Sequence, residues 1–112
     1  LLIPCKASEA DLYEARTTAT KVKSLSVTTR RTIPAWVILN SVRTTAVAAH
    51  AAEQIKEAGL ERLSASLGHR ADYEAVSHTG KMPTSGAAFR EVTDLIAELR
   101  AKDAMPAVRV TA

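Results

Sequence analysis

Two kinds of apolar run alternate along the chain, and their alternation sets the expected fold. Leu1 to Pro4 is an unbroken apolar run stopped by a proline, which cannot donate to a ladder, so it reads as the end of a buried strand. Ser8-Glu9-Ala10-Asp11 has the form of a helix-capping box, a hydroxyl followed three residues later by a carboxylate. Leu12, Ala15, Ala19 and Val22 then recur at helical spacing and turn one apolar stripe inward. Lys21, Lys23, Arg30 and Arg31 cluster toward and beyond that helix's end, where cations suit the dipole. Thr28 to Pro34 is polar and proline-terminated, which predicts a loop. Ala35-Trp36-Val37-Ile38-Leu39 is continuously apolar with β-branched and aromatic members, the pattern of a strand buried on both faces of a parallel sheet. The polar break at Asn40-Ser41 falls where such a strand emerges.

The second half repeats the alternation. Thr44 or Thr45 caps a helix whose inward side is Val47 or Ala48, Ala51, Ile55 and Ala58, with Gly59 placed for a left-handed end. Leu60 to Leu67 is a weaker strand, alternating at Leu63, Ala65 and Leu67. Ala71 to His78 is a short helical stretch ending at Gly80. The last helix shows Phe89, Val92, Leu95, Ile96 and Leu99 on one face, Glu91, Asp94 and Glu98 on its polar side, and Ser85 as its cap. Strand and helix alternating three times predict an α/β fold, a three-layer parallel sheet with right-handed crossovers and flanking helices. Residues 103–112 carry Met105-Pro106 and no useful period, so a disordered tail is expected there. Three such apolar strands imply neighbours on both sides, and the chain opens inside an apolar run without a methionine. We therefore expect part of a longer chain, whose bared sheet edges favour self-association.

Composition narrows the choices. A chain of 112 residues suffices for one domain but not two, and 46% apolar with 24% charged residues is a globular balance. Aromatics at 4% leave few large anchors, which suits Ala-rich helices lying close on a flat surface. The net charge of +3 permits contact with nucleic acid or an acidic surface without requiring it. A lone cysteine, Cys5, excludes an internal disulfide, fits a reducing cytosol and reads as a small buried residue at a strand end. No apolar run approaches bilayer-spanning length. His50, His69 and His78 are too far apart for a simple metal pattern, and no Gly-x-Ser-x-Gly elbow is present. Gly80-Lys81 fails as a phosphate loop, because position 75 is Ala rather than Gly and Met82 follows the lysine. Without that loop, phosphoryl transfer has nothing to position its charge, so no catalytic residue is assigned.

Several segments, in order, resemble the second half of ParA-type ATPases, the deviant-Walker proteins of plasmid and chromosome partition. Leu2-Ile3-Pro4-Cys5-Lys6-Ala7-Ser8 with Asp11-Leu12-Tyr13 is similar to that family's strand-then-helix segment. Trp36 to Arg43 resembles its later strand, ending in Asn and a basic residue. Arg70 to Ala75 with Gly80-Lys81, and then Ala87 to Val92, resemble its segment after the last main strand and its closing helix. The resemblance covers roughly residues 1–101, and MinD-like relatives share parts of it.

The resemblance implies a P-loop NTPase type fold, with residues 1–102 as the carboxy-terminal half of the ATPase domain. It implies a partition ATPase that binds ATP and Mg when intact, dimerises, and holds duplex DNA without sequence preference. A centromere-binding ParB-like partner and a bacterial, nucleoid-associated cytoplasmic setting follow from it. This piece alone, lacking the amino-terminal phosphate loop, is expected to bind nucleotide poorly and to hydrolyse none. In the family the asparagine after the late strand reads the adenine edge, which points to Asn40, with Gly68 and His69 beside the same pocket. An amide both donates to and accepts from adenine, and ligands of open parallel sheets sit at strand carboxyl ends. A strand-end Asn40 that caps its own turn is the alternative. Arg43, Arg70 and Lys81 are the candidate DNA-phosphate contacts, with scattered solvated cations as the alternative. A non-enzymatic DNA- or protein-binding module derived from such a protein stands as the second functional class. A MinD-like membrane role is disfavoured, since Val108 to Ala112 is short, alternating and poor in large apolar residues.

Overall fold

The computed structural model describes residues 1–105. Within them, three strands and four helices follow in the order β1 (Leu2–Cys5), α1 (Glu9–Thr29), β2 (Trp36–Val42), α2 (Thr45–Glu57), β3 (Arg62–Gly68), α3 (Ala71–Thr79) and α4 (Gly86–Ala101). The strands form one sheet in the order β1-β2-β3, parallel throughout. This is a small α/β domain with a Rossmann-like layout.

The central strand explains the layering. Val37 and Leu39 point to one face, where they join Ile3, Cys5, Ala15, Ala51 and Ile55 in a core roofed by α1 and α2. Trp36 and Ile38 point to the other face and bury with Leu63 and Leu99 beneath α4. The Lys102 ammonium lies 5.9 Å from the centre of the Trp36 ring, a cation–π contact at that core's rim. Parallel pairing sets Ile3 opposite Val37 and Cys5 opposite Leu39, so the first core is continuous across β1 and β2. The other face of β1 has no such cover, and Leu1 and Leu2 are exposed.

Local chemistry fixes the element ends, and some differ from expectation. Ser8 caps α1 by accepting from the Asp11 N–H, but the Asp11 carboxylate accepts from the Lys6 N–H, not from Ser8. Helix α1 runs through Thr28 and Thr29, which the polar composition had assigned to a loop. The hydroxyls of Thr17, Thr18, Thr20, Thr28 and Thr29 each donate to the carbonyl four residues back, so these side chains cost the helix little. Arg30, in the left-handed region at φ 54°, then ends the helix, its N–H donating to Ser26 and Val27 carbonyls. Thr44 caps α2, its hydroxyl accepting from the Val47 N–H. Strand β2 continues past Asn40-Ser41 to Val42, with Ser41 at φ 53°.

The outer edge of β3 is closed by α4. Glu98 accepts from the N–H of Ser64 at 2.7 Å and of Ala65 at 2.8 Å, and Glu91 accepts from the N–H of Gly68. Glu91 and Glu98, from the polar side of α4, thus place their carboxylates on the unpaired edge of the sheet. Beyond the helix, the Ala104 N–H donates to the Leu99 carbonyl and Met105 packs on the Trp36 core. The rest of the expected tail, 106–112, lies outside the described residues.

Truncating Ile55, 1% exposed in the first core, to Ala should lower unfolding free energy by about 2–5 kcal/mol. Val27→Ala, at an 80% exposed position, should change it by less than about 0.5 kcal/mol. Urea denaturation of both variants checks the pair, and equal effects would contradict this core.

Candidate functional site

All three strands end on the same side of the sheet, and the segments leaving them build two adjoining clefts. One, of about 300 Å³, is lined by Val42, Arg43, Thr44, Thr45 and Ala48 from the β2–α2 turn and by Ser66, Gly68, Arg70 and Glu91. The other, of about 310 Å³, is lined by Lys6, Ala7 and Ser8 after β1, Ser41, Arg43 and Val47 around β2, and His69 after β3. Arg43 belongs to both. The second cleft gathers Lys6, Arg43 and His69 with the hydroxyls of Ser8 and Ser41, donors suited to an anionic or strongly polar ligand.

The floor of the first cleft is a hydrogen-bonded cluster. The Arg70 guanidinium forks onto Glu91, Nε to Oε1 and Nη2 to Oε2, both at 3.0 Å. The Tyr73 hydroxyl donates to Glu91 Oε1 at 2.7 Å, and the Gly68 N–H donates to the same carboxylate. A Cβ on Gly68 would meet the Arg70 guanidinium and the Glu91 carboxylate at 3.2 Å, so the pair lies directly over a residue with no side chain. The Arg70 hydrogen bonds hold the Glu91 carboxyl below its ordinary range, outweighing partial burial, with help from Tyr73 and Gly68. Burial, then the bond to Glu91, pushes the Tyr73 hydroxyl well above its ordinary value. Glu91 is charged and Tyr73 protonated near neutral pH, the states that the cluster's hydrogen bonds need, and both shifts widen the pH range over which these states hold.

The structure brings together four of the six expected site residues and separates two. Gly68, His69, Arg43 and Arg70 line the clefts, but Arg70 is committed to Glu91 and offers less to an outside phosphate. Asn40 sits within β2, half-buried, and its Oδ1 accepts from the Ser41 N–H at 2.9 Å. That is the turn-capping role; it leaves Nδ2 and a second lone pair of Oδ1 for a ligand. Lys81 is exposed in the α3–α4 connection and lines neither cleft. Cys5 is buried, and burial, then the nearby Asp11 charge, pushes its thiol upward, away from nucleophilic use. Lys6, Ser8 and Ser41 were not expected in the site; the strand-end rule alone points to them. Among the described residues no helix is long and apolar enough to cross a membrane. Compared with known protein families, curated proteins and solved structures, the chain matches none.

Replacing Glu91 with Ala strands the Gly68 N–H and Tyr73 hydroxyl and should cost about 1–2 kcal/mol at neutral pH. Because its folded-state pKa is lowered, the carboxylate's contribution is present above the ordinary value of 4.5 and fades as pH falls through the lower folded value. Urea midpoints of wild type and Glu91→Ala should therefore converge as pH falls below that folded value. A gap that persists there would mean that the charge is not what the cluster uses.

Proposed function

We propose that this chain is the carboxy-terminal part of a ParA-like partition ATPase of the P-loop type, and that its strand-end clefts form the base-side portion of a nucleotide site. The observation that carries this reading is the convergence of Lys6, Arg43, Gly68 and His69 at the carboxyl ends of three parallel strands, with Asn40 inside β2 three residues before Arg43. That is where open α/β sheets take nucleotides. Asn40 Nδ2, free of any described partner, donates to an adenine ring nitrogen, while its turn bond to Ser41 fixes the amide plane. The cations of the second cleft, Lys6 and Arg43, would take the sugar and phosphate side.

On this reading the phosphate loop, the Mg-binding aspartate and the lysine that acts across a dimer are supplied by an amino-terminal half. The whole protein would use ATP to alternate between a homodimer bound to duplex DNA and a released form. A centromere-binding ParB-like partner would stimulate hydrolysis, in a bacterial, nucleoid-associated setting in the cytoplasm. On this reading the chain by itself turns over no ATP, since its sequence carries no phosphate loop.

The test begins with the gene upstream of the Leu1 codon, read for an in-frame Lys-Gly-Gly-x-Gly-Lys-Thr type loop. The product carrying that loop should bind ATP with Mg, and Asn40→Ala should weaken the affinity on the order of tenfold through the lost adenine contact. Calorimetric titration of both forms decides it. An upstream frame without the loop, or an Asn40→Ala product that binds ATP as tightly as wild type, would leave a non-enzymatic DNA- or protein-binding module in its place.

A further inference from the structure

Helix α3 is held to the domain differently from the other three helices. Helices α1, α2 and α4 each bury at least one side chain in the two cores, Ala15, Ile55 and Leu99 among them. The nine residues of α3 bury none. Only Tyr73 and Val76 are half-buried, and the rest are exposed. A helix of this length is not stable by itself in water, so α3 depends on whatever ties it down.

Those ties are few and centre on one carboxylate. Among the described residues, the hydrogen bonds that leave 71–85 for another element come from the Tyr73 hydroxyl, 2.7 Å from Glu91 Oε1 and 3.5 Å from the Ala88 carbonyl oxygen. Just before the helix, Arg70 forks onto the same carboxylate at 3.0 Å. An exposed fork of this kind is weak in water. Both flanks of the helix are built to turn. The His69 N–H donates to the Val42 carbonyl at 2.9 Å, the last backbone bond to the sheet before α3. Beyond the helix, Gly80 at φ 67° and Gly86 at φ 83° bracket a connection without helix or strand. Helix α4 needs none of this to stay on β3, since it has the buried Leu99 and the Glu98 bonds to Ser64 and Ala65.

We infer that α3 is a flap on the floor of the first cleft, latched shut by Glu91, and that it leaves while the sheet and the other three helices stay folded. Local opening belongs to segments with few buried apolar contacts, and α3 is the one described helix of that kind. Opening frees Arg70 from Glu91. Of the two arginines lining the first cleft, Arg43 alone has no ion pair while α3 is shut, and opening adds Arg70 to it. Glu91 keeps the Gly68 N–H in both forms, because neither residue belongs to the flap. The cleft thus has two states that differ in the charge they offer, with no change in the sheet. The inference needs no nucleotide and stands apart from the proposed function.

The test is native-state hydrogen exchange of the full chain, read residue by residue by NMR at low urea concentrations. Intrahelical amides of α3 should be protected, yet exchange through an opening with little urea dependence. The amides of Val37, Ile38 and Leu39 should instead follow the steep slope of global unfolding. Tyr73→Phe keeps the ring, removes the hydroxyl, and should speed α3 exchange about tenfold. Ile55→Val takes one carbon from the first core and should speed exchange at Val37 to Leu39 roughly two- to tenfold. It should leave α3 at its wild-type rate, because the shut and open forms share that core. If the α3 amides quicken in step with β2 in Ile55→Val, the helix comes off only with the whole domain and the flap is overturned. Unprotected α3 amides in the wild type, or an unchanged α3 rate in Tyr73→Phe, would overturn the latch and the inference with it. Each of these outcomes is separate from ATP affinity at Asn40.

Discussion

The whole arrangement depends on the burial of β2. Its apolar residues Trp36, Val37, Ile38 and Leu39 are all buried, two to each face of the sheet. A strand placed so deep must pair its backbone on both edges, because an unpaired buried peptide group costs as much as a lost hydrogen bond. Strands β1 and β3 supply that pairing, and each then has apolar residues of its own to cover. Right-handed crossovers bring α1 and α2 onto one face. The second face would be bare if the chain returned again to the sheet. Instead α4 folds back beneath it, and Leu99 completes the core with Trp36, Ile38 and Leu63.

A three-stranded sheet has two outer edges, and this one treats them differently. On β3, the Glu91 and Glu98 carboxylates receive the N–H groups of Gly68, Ser64 and Ala65. These two residues are seven apart, two helical turns, so one face of α4 carries both acceptors at a spacing that spans the strand. The same charges deter a second strand from pairing there. On β1 no helix side chain does this among the described residues, and the exposed Leu1 and Leu2 leave that edge apolar.

How far this was legible in the sequence follows from the range of each interaction. The strands and helices are encoded by local periodicity, and capping at Ser8 and Thr44 needs only a hydroxyl before an apolar stripe. The end of α1 was misplaced by two residues, because threonine reads as a helix breaker until its hydroxyl is seen bonded to the turn before it. The partners of the acidic side of α4 were not legible for a different reason. A carboxylate on a helix looks solvated unless a strand edge lies within reach, and Ser64 and Glu98 are 34 positions apart. The strand-end rule located Gly68 and His69 but could not show that Arg70 would be engaged by Glu91, since no pattern connects residues 21 apart.

That engagement changes what Arg70 does at the strand ends. A guanidinium and a carboxylate exposed by 39% and 20% gain little from each other's charge in water. The forked geometry gains something else: it seats the start of α3 on the last amide of β3 and buries the Tyr73 hydroxyl under the same carboxylate. The other two strand exits are fixed by equally local means. Lys6 is held by the Asp11 carboxylate where β1 ends, and the left-handed Ser41 with the Thr44 cap turns the chain out of β2. Each exit is thus pinned within a few residues of its strand, so the clefts between them keep their shape without a ligand. The cost of ordering them has been met in folding, which leaves more of any contact energy for the ligand itself.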